Sequence, residues 1–497
     1  MKKNKHFLSF LILFAFILPL LFGCSSGSVF SQNQPLTITV WHYYTSELKT
    51  AFEGMIDDFN KTYGQEHNII VETENQEDLD TLAAKVIDSG QDAVGSDELP
   101  DIIFAYTGTV LELDQLGMVA DLDNYFSQDE LARYYPSFLE EGRIGEKNKL
   151  ECFPVAKSTE LVYINKADFD AFAKSANASG SYGTVSSDGF ATFEGIAELS
   201  DIYYRWTDDQ TPSVPNDGKS FFGMDATPNY ISVGARQLGN VPVTVTGTSG
   251  ATFTMNKEAA RRLWDFYYNN IVTGRFAEIG RYRADDMKTG DLVAYLGSSG
   301  GATYFPEEIL PGSPDSRKTE LLVMPYPVFE GAKAVSIQQG AGMSVIRSDE
   351  QHEDASAQFI KWFTDPAQNV KFSYMSGYQP VQKAEYTRDA QEKEIAELTG
   401  EADVARQNTI QALQVASRQF DEYELTVDKE FSGSYDVRNM FGVTLSNAAK
   451  DARNSLLEDM KSGKTLEQVL PAYLDNGNFD DWFNGIQKEF EHLTTGE

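Results

Sequence analysis

Cysteine, histidine and positive charge are all scarce in this chain of 497 residues, which has two cysteines, five histidines and 41 lysines and arginines. Two cysteines, Cys24 and Cys152, cannot form a disulfide framework, so a fold of this length must rest on buried apolar surface. The histidines at 42, 67, 352 and 492 are nowhere at metal-ligand spacing, and H-E-x-x-H is absent. Neither a phosphate-binding glycine loop ending in Lys-Ser or Lys-Thr nor G-x-G-x-x-G occurs. Oxygen donors surround a glycine from Asp475 to Asp481, but their spacing is not that of a calcium loop. No cofactor and no metal are expected. Against 75 acidic residues the net charge is −34, which excludes nucleic acid and anionic lipid surfaces as natural partners. No internal repeat is visible, and beyond residue 23 no apolar run approaches the roughly 20 residues that span a membrane.

The N-terminus is the exception to this polarity. Lys2, Lys3 and Lys5 precede an almost wholly apolar run from Phe7 to Phe22, followed by Gly23-Cys24. Basic head, short apolar stretch and small-residue cut form the layout of a secretory leader. The segment resembles a bacterial lipoprotein signal, which implies removal of residues 1–23, acylation of Cys24 and anchorage at the outer face of a membrane. Cys152 is then left without an intrachain partner. Residues 24–35, rich in Ser, Gly, Asn and Gln, read as a flexible tether.

Beyond the tether, strand and helix patterns alternate. Leu36, Ile38 and Val40 alternate with threonines and predict a strand ending at Trp41; Leu48, Phe52, Met55, Ile56 and Phe59 predict an amphipathic helix. A strand over 68–73, a helix over 79–87 and a strand over 102–106 complete an α/β unit with a largely parallel sheet. The alternation returns with a strand at 161–164 and a helix at 166–175, then a loop over 175–187. An aromatic helix follows at 261–271, and strands at 291–296 and 321–324 precede Pro325 and Pro327, which read as a linker or hinge. Past Gly377 the chain reads as mostly helical.

An enzyme reading rests on Gly297-Ser298-Ser299-Gly300-Gly301, which fits G-x-S-x-G with Ser299 as nucleophile of a secreted hydrolase. A strand precedes it, but Pro306 discourages the helix an elbow needs. A binding reading rests on aromatic and polar residues at strand ends, where open α/β sheets hold their ligands. Trp41, His42, Tyr43 and Tyr44 follow the first strand, Tyr106 and Thr107 a later one, and Ser158, Thr159 and Glu160 sit at the crossing into a second lobe. Aromatic faces there can cover a sugar ring while amides and hydroxyls meet its hydroxyl groups.

Ordered motifs extend that reading. Ile38-Thr39-Val40-Trp41-His42, Pro100-Asp101-Ile102, Asp121-Leu122-Asp123, Tyr163-Ile164-Asn165-Lys166, Ser298-Ser299, Gly340-Ala341-Gly342, the helix Phe359–Phe363 and Met375–Val381 occur in family order over residues 36 to about 385. This set resembles the extracellular solute-binding proteins of ABC importers, in the group that binds maltodextrins, oligosaccharides and glycerol 3-phosphate. The resemblance implies an α/β, two-lobe periplasmic-binding-protein-like fold (type II), with discontinuous lobes, a hinge and an interlobe cleft. The expected lobes are 36–152 with 331–370, and 153–330 with 371–497. It further implies an exported monomer that holds a small-molecule ligand without turnover and hands it to transmembrane permease subunits. The expected ligand is a neutral saccharide, with glycerol 3-phosphate or a glycerophosphodiester as the alternative. Gly340, Tyr378 and Arg438 join the strand-end residues and Ser298 and Ser299 as ligand contacts, Arg438 being the one able to hold a phosphate.

Overall fold

The computed structural model describes residues 35–248, 250–398 and 404–495. The leader 1–23, the acylation at Cys24 and nearly all of the 24–35 tether therefore lie outside the described residues. The chain divides into two compact units, Met1–Leu36 and Thr37–Glu497, and the second carries the architecture below.

In chain order, the elements that position the site begin with β1 (Leu36–His42), α1 (Ser46–Lys61), β2 (Ile69–Asn75), α2 (Leu79–Gly90), β3 (Ile102–Ala105), α3 (Thr107–Gln115), β4 (Phe153–Pro154) and β5 (Glu160–Asn165). They continue with β6 (Phe222–Met224), α4 (Thr227–Gln237), α5 (Lys257–Val272), β7 (Ala294–Ser298), β8 (Leu321–Met324), β9 (Val335–Ile337), β10 (Gly342–Val345), α6 (Pro366–Ser376), α7 (Val404–Glu422), β11 (Glu424–Thr426) and α8 (Ser434–Lys461).

The first sheet has the order β2-β1-β3-β10-β4. β1 and β3 are parallel, pairing Val40 with Ile102, whereas β10 runs antiparallel to β3, pairing Gly342 with Ala105. The sheet is thus mixed rather than largely parallel. Its fourth strand comes from far along the chain, after the whole second sheet has been built. The amphipathic stripe of α1 is buried as its spacing required, with Phe52 and Phe59 fully enclosed. Asp78 starts α2 by accepting a hydrogen bond from Thr81 N at 2.8 Å.

The second sheet, β8-β5-β7-β6, is also mixed: β5 is antiparallel to β7 and β8, and β7 is parallel to β6. Its core is dominated by aromatics, including Phe193, Tyr230, Trp264 and Phe266. Burying one such side chain contributes roughly 1.5–3 kcal/mol, which explains why no disulfide is needed. The helices after residue 377 cover this core through Val437, Phe441, Phe479, Trp482 and Phe490. One strand, β11, interrupts them and pairs parallel with β9. The helix predicted to stop at Ser175 continues to Ser179, where Gly180 closes it at φ 66°.

Three chain segments pass side by side between the sheets. Ser158 N donates to Gln339 O at 2.8 Å, Gln339 N returns a bond to Ser158 O at 3.0 Å, and Lys157 and Gln379 exchange backbone bonds in the same way. Gly340 adopts φ +120°, and a Cβ there would stand 2.6 Å from Ala156 O, so the close crossing requires glycine. Lys157 Nζ ties the crossing together, meeting Glu141 Oε1 at 2.8 Å and Gly340 O at 3.2 Å, with both charged side chains buried. Pro325 and Pro327 do not form a free linker: Tyr326 between them is fully buried, and its N–H donates to Gln419 Oε1 at 2.7 Å. α6 lies against α1, with Lys371 Nζ 2.6 Å from Asp58, so the lobe division expected at residue 370 falls inside one helix.

Candidate functional site

The run Trp41–Tyr44 divides between core and cleft. Trp41 is 3 % exposed and sits with Leu82 and Val86 of α2 and Ile103 of β3. His42, on the opposite face, is wholly buried with its ring 4.9 Å from Phe52 of α1. Its Nδ1 accepts from Tyr44 N at 3.2 Å, and burial, helped by the charge of Lys49, lowers its pKa to about 4. Tyr44 is enclosed by Phe52, Phe104 and Phe372. These three residues build the floor beneath the site and offer no open surface to a ligand. Tyr43 alone of the four remains half-buried.

Burial chiefly, then the hydroxyls of Tyr378 and Tyr106, push the Tyr43 hydroxyl well above the ordinary value. Tyr106 is 40 % exposed, and Tyr304, from the glycine-rich segment after β7, is 64 % exposed. Burial first, then Tyr106 and Tyr304, raise the Tyr378 hydroxyl. Tyr378 is aimed by the turn that ends α6: Gly377 has φ +76°, and a Cβ on it would lie 3.0 Å from Gly300 Cα, while one on Gly300 would lie 3.8 Å from the Tyr378 ring. The four tyrosines thus come from the ends of β1 and β3, a crossing segment, and the turn after β7.

A buried polar array lies on the second-sheet side. Asn229 Nδ2 donates to Glu160 Oε1 at 3.1 Å and to Gln339 Oε1 at 3.0 Å, while Arg438 donates to Asn229 Oδ1 at 2.8 Å. Glu160 is 2 % exposed, and its Oε2 has no hydrogen-bond partner among the described residues. Burial first, with Asp225 adding, pushes its carboxyl up to about 7; burial likewise raises Asp225 to about 6. A buried carboxyl oxygen left unpaired is costly and calls for a hydrogen-bond partner. Ser298 is half-buried, its Oγ accepting from Gly300 N at 3.3 Å. Thr107 Oγ1 donates to Glu430 Oε1 at 3.3 Å.

Other expected contacts serve the scaffold. Ser158 and Gly340 act through backbone at the crossing, and Thr159 Oγ1 accepts from Gln419 at 2.8 Å. Ser299 is fully buried; its N–H donates to Thr159 O at 2.7 Å and its Oγ accepts from Thr159 N at 3.4 Å. A 3-10 turn over Ser299–Tyr304 follows β7 where an elbow would start a helix. The exposed nucleophile that the G-x-S-x-G pattern suggested is not formed. Among the described residues no cluster of three His, Cys, Asp or Glu could hold a metal ion.

Sequence reasoning passed over Tyr304, Asn229, Asp225 and Glu430. Tyr304 had a signal, an aromatic pair with Phe305 in the segment after a strand, whereas the other three are brought in by tertiary folding alone.

Mixed α/β sheets joined by side-by-side crossings, with an aromatic and polar cleft between them, define the two-lobe binding proteins of type II. The model of the bacterial extracellular solute-binding protein family matches residues 54–399, and the chain belongs to that family. Similar solved structures include the cyclic alpha-maltosyl-1,6-maltose binding protein of Arthrobacter globiformis, at 17 % identity and TM-score 0.63, covering 92 % of this chain and 100 % of that one. UgpB of Mycobacterium tuberculosis, in complex with glycerophosphocholine, is 18 % identical at TM-score 0.63, covering 92 % and 98 %. The GacH receptor of Streptomyces glaucescens, studied unliganded and with acarbose, is 15 % identical at TM-score 0.60, covering 91 % and 99 %. No curated protein matches the chain. No helix among the described residues is long and apolar enough to cross a membrane.

Proposed function

We propose that this protein captures a mono- or oligosaccharide between its lobes and delivers it to the permease of an ABC importer. The observation that carries the reading is the supply of Tyr43 and Tyr106 at the ends of β1 and β3 and of Tyr304 and Tyr378 on the two turns that touch at Gly300 and Gly377, together with the unpaired carboxyl oxygen of Glu160. Tyrosine faces cover the C–H faces of a sugar ring, and a buried carboxyl oxygen takes a sugar hydroxyl. Contacts drawn from both sheets are complete only when the lobes close, so ligand shifts the open–closed equilibrium that the permease reads. The crossings at 157–158, 339 and 379 serve as the hinge. Structural relatives that bind cyclic alpha-maltosyl-1,6-maltose and acarbose support the saccharide reading. A monomer anchored through lipid on Cys24 completes it, at the outer face of the cell membrane or in the periplasm of a Gram-negative envelope.

A second reading has its own observation: Arg438 reaches the same polar array, and one relative was solved with glycerophosphocholine. Glycerol 3-phosphate or a glycerophosphodiester would then take the saccharide's place. A thermal-shift screen of sugars, polyols and phosphate esters separates the two, since a ligand of the native state raises Tm by an amount that grows with the logarithm of its concentration over Kd. The saccharide reading expects the largest shift from a sugar and no turnover of it. A shift from phosphate esters alone, or chemical conversion of the sugar, overturns it.

A further inference from the structure

A cavity of about 490 Å³ opens beside the hinge residue Gln379, where α6, the helix Ala384–Leu398 and α7 converge. That volume is ordinary for a small-molecule site. Its floor is apolar: Tyr374 and Leu413 are buried in a small cluster of their own, and Ile395 packs against them. Gln379 is held here as well as at the crossing, since its Nε2 donates to Leu413 O at 3.0 Å. α6 rests on α1 of the first sheet through Lys371 and Asp58, whereas Ala412, Val415 and Ala416 of α7 pack in the cluster of Leu161, Tyr163 and Tyr295 from the second. The cavity therefore has a wall from each side of the hinge. None of the tyrosines or polar groups of the cleft lines it.

Charge decides what such a cavity takes. Arg388 and Arg418 line it from different helices, and both are exposed. Acids outnumber bases by 75 to 41, so carboxylate partners are plentiful, and the partly exposed Arg261, Arg262 and Arg317 each hold one. Arg388 and Arg418 have no ion pair, hydrogen bond or ring contact among the described residues. Glu392, four residues after Arg388, also lines the cavity without pairing to it, which leaves two guanidinium groups against one carboxylate. A guanidinium recognises carboxylate and phosphate oxygens through paired, charge-assisted hydrogen bonds. We propose that this cavity is a second ligand-binding site, which takes a small anion with an apolar body. The body lies on Tyr374, Ile395 and Leu413, and the carboxylate or phosphate meets Arg388 and Arg418. This site is separate from the cleft and binds its anion whether or not a sugar is the cleft's ligand.

The test is a fluorescence titration of the full mature chain with two probes. One is anilinonaphthalene sulfonate, whose sulfonate stands in for the carboxylate or phosphate; the other is the uncharged phenylnaphthylamine, which has the same rings. Wild type is expected to bind the sulfonate at one saturable site and the uncharged probe about tenfold or more weakly. Replacing both arginines, Arg388→Gln with Arg418→Gln, should raise the Kd of the sulfonate by about tenfold or more and leave that of the uncharged probe unchanged. Ile395→Trp, which fills the cavity and keeps both arginines, should abolish the saturable site, and Tyr106→Ala in the cleft should leave it as in wild type. No saturable binding by wild type, equal affinity for the two probes, a wild-type Kd in the arginine variant or in Ile395→Trp each overturns the proposal. So does a site lost in Tyr106→Ala, which puts the probe in the cleft and leaves the saccharide reading standing. Both arginines are exposed and without partners, so their variant should keep the wild-type Tm. Should Ile395→Trp fail to fold, the arginine variant and the uncharged probe still decide.

Discussion

β1 and β3 lie side by side and parallel in the first sheet, and their C-terminal ends have different fates that follow one rule. β1 runs to His42 and β3 to Ala105; of the residues that follow, Tyr43 is half-buried against the core cluster of Trp41, whereas Tyr106 is 40 % exposed. Trp41 and His42 are consecutive and point to opposite faces, yet both are buried, because α2 covers one face of β1 and α1 the other. A strand covered on both sides gives its alternation no solvent face. Aromatic character at a strand end is therefore no guide to exposure. The position of the last ladder residue is.

Four measurements bear on the contrast between the two strand ends. The largest effect belongs to Trp41→Ala, which should cost about 3–5 kcal/mol in urea unfolding through the cavity it leaves, whereas Tyr106→Ala should stay within roughly 0.5 kcal/mol. Equal stabilities for the two variants would mean the strand-end rule is wrong. His42 comes next. Its folded pKa of about 4 is below the ordinary value, so the unfolded chain binds the extra proton between about pH 6.5 and 4. Stability should fall as pH drops through that window, by at most about 3 kcal/mol, and His42→Gln should lose this part of the slope. An identical slope in the variant would place the titration elsewhere.

Smaller effects lie on the cleft side. Tyr43→Ala and Tyr106→Ala should each weaken saccharide binding by about 1–3 kcal/mol, roughly ten- to hundredfold in Kd, with little change of Tm. Wild-type affinity in both would remove the tyrosine wall from the account. Ser298→Ala, at a half-buried hydroxyl that caps a short turn, should change affinity or stability by no more than about 1 kcal/mol. A large loss there would shift the centre of the site towards β7.

The fold was legible because its signals are local and repeated. Ile38 and Val40 alternate with threonine, and α1 carries its apolar stripe at helical spacing, so element type could be read residue by residue. The mixed direction of both sheets was not legible, since β10 reaches β3 from more than two hundred residues away and nothing local records its sense. The local settings of Tyr106 and Tyr378 were legible, because one directly follows an apolar strand and the other follows a glycine that ends a helix. Trp41 and His42 were misplaced because β1 extends one residue beyond its apparent end, and Ser299 because a glycine-serine pattern says nothing of burial. Glu430 reaches Thr107 across 323 positions of sequence, and only the folded chain brings them together.

The central claim is that lobes hinged at 157–158, 339 and 379 close on an unaltered saccharide gripped by four tyrosines. Small-angle X-ray scattering of the mature chain, titrated with the sugar giving the largest thermal shift, tests this most directly. The account expects the radius of gyration to fall on saturation, and to fall less at the same sugar concentration in Tyr106→Ala. A radius unchanged by a sugar that demonstrably binds would contradict it.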